Sequence, residues 1–245
     1  MNGNSKYSNV LTMLLVVFIV AILGVIFYFA YDLLNSKKIN DDAQVALEEF
    51  EQATKNVKKD NSSTNTIADE NTTGSVDMNS IYENLMQDSS SRNAQQQQTE
   101  VDRTADVEKV YMDGYEVLGK IEIPKTKCEY PILDGVKAKV LSMAVGMAYG
   151  PGLNEAGNTV IFGHNYRNGL FFSNNKNLAS GDLIYITDRY GEKVAYEIYN
   201  IYQTDQSDAT YFTRDTEGRR EISLQTCTDD GKLRLIILAK CDLDS

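Results

Sequence analysis

The stretch Glu221–Lys240, E-I-S-L-Q-T-C-T-D-D-G-K-L-R-L-I-I-L-A-K, decides how the chain folds. In its first half Ile222, Leu224 and Thr226 alternate with Glu221, Ser223, Gln225 and Cys227, the two-residue period of a half-buried strand. Asp229, Asp230 and Gly231 are turn residues, and Asp-Gly is a strong hairpin signal. The second half, Leu233–Ala239, is nearly continuous apolar sequence, as expected of a strand covered on both faces. Only Arg234 breaks it. A hairpin here brings a thiol at the end of one strand close to a guanidinium at the start of the next.

A charge inside an apolar strand is costly unless it is paired or used. Two readings of Arg234 follow. It forms an ion pair with Asp229, Asp230 or another carboxylate, or it holds an oxygen on which charge develops when Cys227 attacks a carbonyl. A nucleophilic cysteine needs a proton partner. The chain has one histidine, His164, in N-T-V-I-F-G-H-N. Taken alone, His164 reads as a structural or surface imidazole in a turn after a strand. In a Cys–His enzyme it is the one imidazole the chain can offer.

S-L-Q-T-C with an arginine seven residues on, and G-H-N upstream at the end of an apolar strand, resembles the sortases, membrane-anchored cysteine transpeptidases of Gram-positive bacteria. The family signature T-L-x-T-C is matched at Leu224, Thr226 and Cys227, with Ser223 in place of the first threonine. The likeness runs from about Tyr115 to Lys240 and takes in G-K-I-E-I-P and E-Y-P-I-L. G-H-N-Y-R-N-G-L-F-F is similar to class B members. The short connection from Asp205 to Arg220, without a long helix, looks closer to class A or D. The chain has no Trp, no D-P-[WF] lid and no second apolar span after Ala239, which argues against the pilin-polymerising class C.

Composition sets the remaining bounds. The formal charge of −11 argues against nucleic-acid binding, which calls for a basic patch. Cys128, Cys227 and Cys241 have no metal-ligand spacing. Cys128 and Cys241 read as small buried hydrophobes; pairing them would leave Cys227 free, and the sequence does not show that they meet. Val10–Tyr31 is a 22-residue uncharged run, long enough to span a bilayer as a helix. A signal peptide would have a shorter apolar region ending in a small-residue cleavage site. Tyr28, Phe29 and Tyr31 gather at its far end, as in an interfacial aromatic belt. Lys6 before the span and Lys37 and Lys38 after it leave orientation open, and the resemblance places residues 1–9 in the cytoplasm and the carboxyl-terminal part outside the cell.

Asp32–Lys59 has helical spacing among mixed charges and reads as a solvated stalk helix. Asp60–Ala105 is rich in Ser, Thr, Asn, Gln and Asp and reads as a flexible linker, with a short helix expected over Ser80–Gln87. Residues 106–245 carry the strand-like sequence. At roughly 140 residues they are enough to bury about two-thirds of their unfolded surface without a disulfide or metal. Strands are expected over Tyr115–Pro124, Lys127–Leu133, Asn158–Phe162, Asp182–Thr187 and Lys193–Gln203, besides the two above; Val136–Val145 has helical spacing and Tyr149–Gly152 reads as a loop. Seven or so short strands predict an all-β domain, a closed or nearly closed barrel. The resemblance implies the sortase barrel.

The resemblance also implies the roles. Cys227 attacks the carbonyl of a C-terminal sorting signal of the LPxTG type, His164 protonates the departing amine, and Arg234 stabilises the developing oxyanion or the substrate backbone. The thioacyl-enzyme passes its acyl group to an amine of a peptidoglycan precursor or cross-bridge. The Thr226 hydroxyl is a weaker substrate-binding candidate, and Asn165 a turn residue that could orient His164. Some sortases use calcium, but no calcium site is found in the sequence, and neither cofactor nor metal is expected. Two rivals stand beside this reading: a membrane-tethered, non-catalytic β-barrel that binds a wall component, and a plain thiol peptidase in which water takes the acyl group.

Overall fold

A computed structural model describes residues 4–62, 103 and 107–241. The expected linker over Asp60–Ala105, apart from the end of the first helix and Arg103, and the expected short helix over Ser80–Gln87 lie outside the described residues.

Nine strands form one sheet: β1 (Tyr111–Met112), β2 (Tyr115–Ile123), β3 (Cys128–Asp134), β4 (Val145–Tyr149), β5 (Gly157–Phe162), β6 (Leu183–Asp188), β7 (Lys193–Asp205), β8 (Arg220–Cys227) and β9 (Leu233–Lys240). Their order is β1-β2-β3-β4-β5-β8-β9-β7-β6, and β6 pairs back onto β2, from Gly119 opposite Asp188 to Glu122 opposite Tyr185. That pairing closes β2–β9 into a barrel and removes the sheet edges. β3–β4 and β5–β8 run parallel; the other pairs are antiparallel. Helix α1 (Asn4–Ser62) precedes the barrel, and α2 (Ala138–Met143) carries the chain from β3 to β4.

The seven expected strands are present, with ends shifted by one or two residues. Two more were not expected. β4 takes up V-G-M-A-Y, where the helical spacing stops at Met143 and the chain, having crossed over, pairs with both β3 and β5. β1 is a two-residue extension of β2. The turn between β8 and β9 is longer than Asp-Gly alone requires. It spans residues 228–232, closed by Thr228 N–H donating to Leu233 O (3.0 Å) and Gly231 N–H to Thr228 O (2.9 Å), with Gly231 at φ +72°.

Two apolar clusters flank the barrel wall. Inside, Ile121, Ile132, Ile161, Leu224 and Ile237 are fully buried. Outside, Val160, Ile236 and Leu238 are covered by Tyr211 and Phe212 from the β7–β8 connection. For this reason β8 is buried on both faces near its start rather than on one: Glu221 and Ser223 face outward yet are 2% and 0% exposed.

α1 is unbroken from the apolar run into the charged segment. Residues 10–34 present their side chains to the surroundings, and this is the one helix among the described residues long and apolar enough to cross a membrane by length and composition. The following segment is helical as its spacing predicts, but it is not a solvated stalk. Ala43, Ala46, Leu47, Phe50 and Ala53, spaced three and four apart, are buried against β1–β3 and α2. Small alanines let the helix approach the sheet closely, and Phe50 fills the contact.

Candidate active site

β8 delivers Cys227 as its last residue, and β5 delivers His164 two residues past its end. The parallel β5–β8 register sets Phe162 beside Gln225, and the pairing continues beyond the strands. Gly163 N–H donates to Gln225 O at 3.1 Å, and Asn165 Nδ2 donates to Cys227 O at 2.9 Å. These two bonds bracket His164 and fix its backbone alongside Gln225–Cys227.

The glycine of G-H-N has a packing reason. A Cβ at Gly163 would lie 2.6 Å from the Phe172 ring, so only glycine lets the turn press onto that ring. The rest of the turn is pinned as well. Phe172 N–H donates to His164 O (3.1 Å), and Tyr166 N–H donates to Ser173 Oγ (3.1 Å). The imidazole lies 4.8 Å from the Tyr166 ring, which in turn packs at 5.8 Å on Phe171. It is half-buried, and burial pushes His164 below its ordinary value of 6.5, favouring the neutral ring.

Arg234 stands directly across the antiparallel ladder from Cys227. Opposed residues in such a pair project from the same face, with Cβ atoms roughly 5 Å apart. The guanidinium donates to Leu233 O and to Gln206 Oε1, both at 3.3 Å, and no carboxylate of the described residues is within ion-pair distance of it. The ion-pair reading is therefore not what the structure holds. Asp229 is occupied by Lys176 Nζ (2.6 Å) and Asn165 Nδ2 (2.9 Å), and Lys176 first, then Asn165, lowers its carboxyl below the usual range. Asp230 accepts from the Thr228 hydroxyl at 2.6 Å. Arg234 retains N–H donors for a further acceptor.

Thr226 sits one residue before Cys227 and, by the alternation of the strand, on the opposite face. It is 3% exposed and its Oγ1 has no hydrogen-bond partner. Thr226 and Cys227 both line a cavity of about 570 Å³ at the barrel's end, together with Phe172, Tyr202, Lys176 and Asp229. Cys128 and Cys241 are buried and not joined in a disulfide, and burial pushes Cys128 up to about 12.

The sequence did not point to the network that straps the β7–β8 connection over the outer wall. Arg214 pairs with buried Glu221 and donates to Asn158 Oδ1 (2.9 Å) and Tyr199 OH (2.8 Å). Ser223 donates to the same Asn158 Oδ1 (2.8 Å), and Asn158 Nδ2 donates to Tyr211 O (2.8 Å) and Phe212 O (3.0 Å). The signal available was Glu221 and Ser223, polar residues at outward positions of a strand that precedes the nearly continuous apolar run Leu233–Ala239. The strap seals the apolar outer patch of β5 and β9 from solvent. Beside it, Tyr149, Phe212, Asn158 and Arg214 line a second cavity, of about 760 Å³.

Comparison with known proteins gives one answer. The sequence model of the Sortase domain matches residues 121–242. Sortase A of Bacillus anthracis is 29% identical over 139 residues, 54% of this chain and 63% of that protein. Sortase D of Bacillus subtilis is 34% identical over 112 residues, 44% of this chain and 53% of that protein. The chain thus spans less than two-thirds of the length of these curated relatives. Among solved structures, sortase A from Corynebacterium diphtheriae aligns at 31% identity over 52% of this chain and 62% of its own, with a TM-score of 0.47. A Clostridium perfringens sortase D5 transpeptidase aligns at 32% over 51% and 78%, with a TM-score of 0.46. The match spans the strands that deliver His164, Cys227 and Arg234, and the chain belongs to the sortase family.

Proposed function

We propose that the protein is a membrane-anchored cysteine transpeptidase that joins a protein bearing a C-terminal sorting signal of the LPxTG type to an amine of the cell wall. The observation that carries this reading is the docking of the Gly163–Asn165 turn onto the end of β8, which sets the single histidine beside Cys227, with Arg234 across the ladder.

Each group has one role. Cys227 passes its proton to the neutral His164 ring and, as the thiolate, attacks the carbonyl carbon of the scissile amide, and the carbonyl oxygen takes up negative charge. Arg234, not engaged by a carboxylate, donates to that oxygen or to the adjacent peptide backbone. The C–N bond breaks as His164, as imidazolium, gives its proton to the departing amine. This leaves a thioester on Cys227 and a neutral imidazole. An acceptor amine, supplied by a peptidoglycan precursor or cross-bridge, attacks the thioester. His164 takes its proton, and the thiolate leaves. The cavity at the barrel's end, lined by Cys227, Phe172 and Tyr202, would hold the peptide before the cut. The Thr226 hydroxyl, lacking an internal partner, would meet a polar group entering the cavity at the barrel's end. Residues 10–31 anchor the chain, with the barrel outside the cell.

Mass spectrometry of the full chain incubated with LPxTG-type peptides and a glycine peptide tests this. The expected products are a covalent adduct on Cys227 and the ligated peptide, both absent in Cys227→Ala. Hydrolysis unaffected by the amine would favour a plain thiol peptidase. No adduct and no turnover would leave a binding module.

A further inference from the structure

The buried seam of α1 is ordered along the barrel from one end to the other. Nearest the apolar run, Tyr28, Asp32 and Ser36 line a cavity of about 730 Å³ with Tyr166 and Asn168, the loop just after His164. Ser36 Oγ accepts from Asn168 Nδ2 at 3.2 Å. One turn on, Asn40 Oδ1 accepts from Tyr130 OH at 3.4 Å. Further along, Glu51 pairs with Lys120 Nζ at 2.8 Å. Phe50 and Thr54 finally lie beside Val117 and Arg189.

Arg189 is in the β6–β7 turn, at the start of β7, whereas the far end of β7 pairs with Leu233 and Arg234. The seam therefore begins at the barrel end that holds His164 and Cys227 and finishes at the opposite end. From Ser36 to Thr54 the helix rises about 27 Å. That is close to the length of an eight-residue strand such as β8, about 26 Å.

We propose that α1 and the barrel are one rigid body in which the catalytic end of the barrel faces the bilayer at the level of the lipid headgroups. The partner of this face is the membrane surface itself. Tyr31 closes the apolar run, and Ser36 lies only about 8 Å further along the helix. The headgroup layer is of similar depth, roughly 5–8 Å on each side of the hydrocarbon core. The Tyr166–Asn168 loop thus sits where the helix leaves the lipid, and the cleft beside Cys227 opens to molecules held at the membrane surface. A flexible tether would set no such orientation. The proposal rests on residues 10–31 spanning a bilayer and is independent of the chemistry at Cys227.

The chain has no tryptophan, so a single introduced Trp reports its own depth. The full-length variants Tyr166→Trp and Tyr190→Trp, each exchanging one aromatic ring for another, are reconstituted into vesicles containing lipids with a headgroup nitroxide. Flotation with the vesicles checks anchoring. The expected result is quenching at position 166 about threefold or more stronger than at position 190. Adding Ala43→Glu and Ala46→Glu to each variant should detach the seam and collapse that difference while flotation persists. Protein that floats but is quenched equally at both positions, or more at 190, overturns the orientation alone. A difference that survives detachment removes α1 as its cause. Protein that does not float overturns both the anchor and the orientation.

Discussion

Asn165 donates one side-chain N–H to the carbonyl oxygen of Cys227 and another contact to Asp229, both at 2.9 Å. The residue after the histidine is thus tied to the backbone of the cysteine. Removing the amide leaves Cys227 O without this donor and frees the turn that aims the imidazole. A hydrogen bond of this kind contributes about 1 kcal/mol. Asn165→Ala should lower kcat for a sorting peptide by about fivefold to tenfold, with KM changed by less than twofold. Steady-state kinetics beside a thermal melt separate this from general destabilisation. An unchanged kcat would remove Asn165 as a positioning residue.

Gly163 is a sharper probe of the same turn. Any Cβ there meets the Phe172 ring at 2.6 Å, so ring or turn must move. Overpacking a well-filled site costs about 1–3 kcal/mol. Gly163→Ala should lower stability in urea by that amount and reduce turnover by more than tenfold, because His164 is the next residue. Phe172→Leu in the same chain should recover part of both. Full activity in Gly163→Ala would mean that the turn's placement does not matter.

Arg234 lies opposite Cys227 with no carboxylate partner among the described residues, so its removal should damage the reaction and spare the fold. Loss of one preorganised donor to a developing oxyanion costs about 10²–10³ in rate. Arg234→Ala should lose activity on that scale with stability unchanged to about 0.5 kcal/mol, as for an ordinary surface substitution. Arg234→Lys should recover little, because a point charge does not reproduce the planar fork. A stability loss above about 2 kcal/mol with activity retained would return Arg234 to a structural role.

The strands were legible in the sequence because each carries its own period. Leu233–Ala239 reads as buried without knowledge of its neighbours, and β6 and β7 are marked by their own runs over Asp182–Thr187 and Lys193–Gln203. β4 was not legible, because V-G-M-A-Y has a glycine at its second position and becomes a strand by lying between β3 and β5. The site was legible as residue types, one thiol and one histidine, but not as geometry. The bonds that bring them together run through Gly163, Asn165 and Gln225, whose roles depend on the β5–β8 register. The stalk was misread for a related reason. Alanines at 43, 46 and 53 look neutral in a charged helix, and their small size acquires meaning only against a sheet.

Phe50 tests that last point directly. It is 2% exposed, buried in the α1 seam. Truncating a buried phenylalanine costs about 3–5 kcal/mol through lost burial and the cavity left behind. Phe50→Ala in the full chain should lower unfolding free energy by about 3 kcal/mol, read as a shift of the urea midpoint followed by far-ultraviolet circular dichroism. A neighbouring exposed apolar residue, Val45, serves as the control, and Val45→Ala should change stability by less than about 0.5 kcal/mol. Equal small effects at both positions would mean that the helix is solvated after all.

His164 offers the cleanest titration, because it is the only histidine. Burial disfavours its charged form, so its folded-state value lies below 6.5. The sign for stability follows by linkage. Below pH 6.5 the unfolded chain takes up a proton that the folded chain does not, so the histidine's contribution to stability falls as pH drops through 6.5 toward the folded value. Above 6.5 it is level. In Cys227→Ala the imidazole C2 proton should give a single NMR curve with its midpoint below 6.5. A midpoint at or above 6.5 in the alanine variant would mean that the ring is not desolvated as its packing on Tyr166 requires.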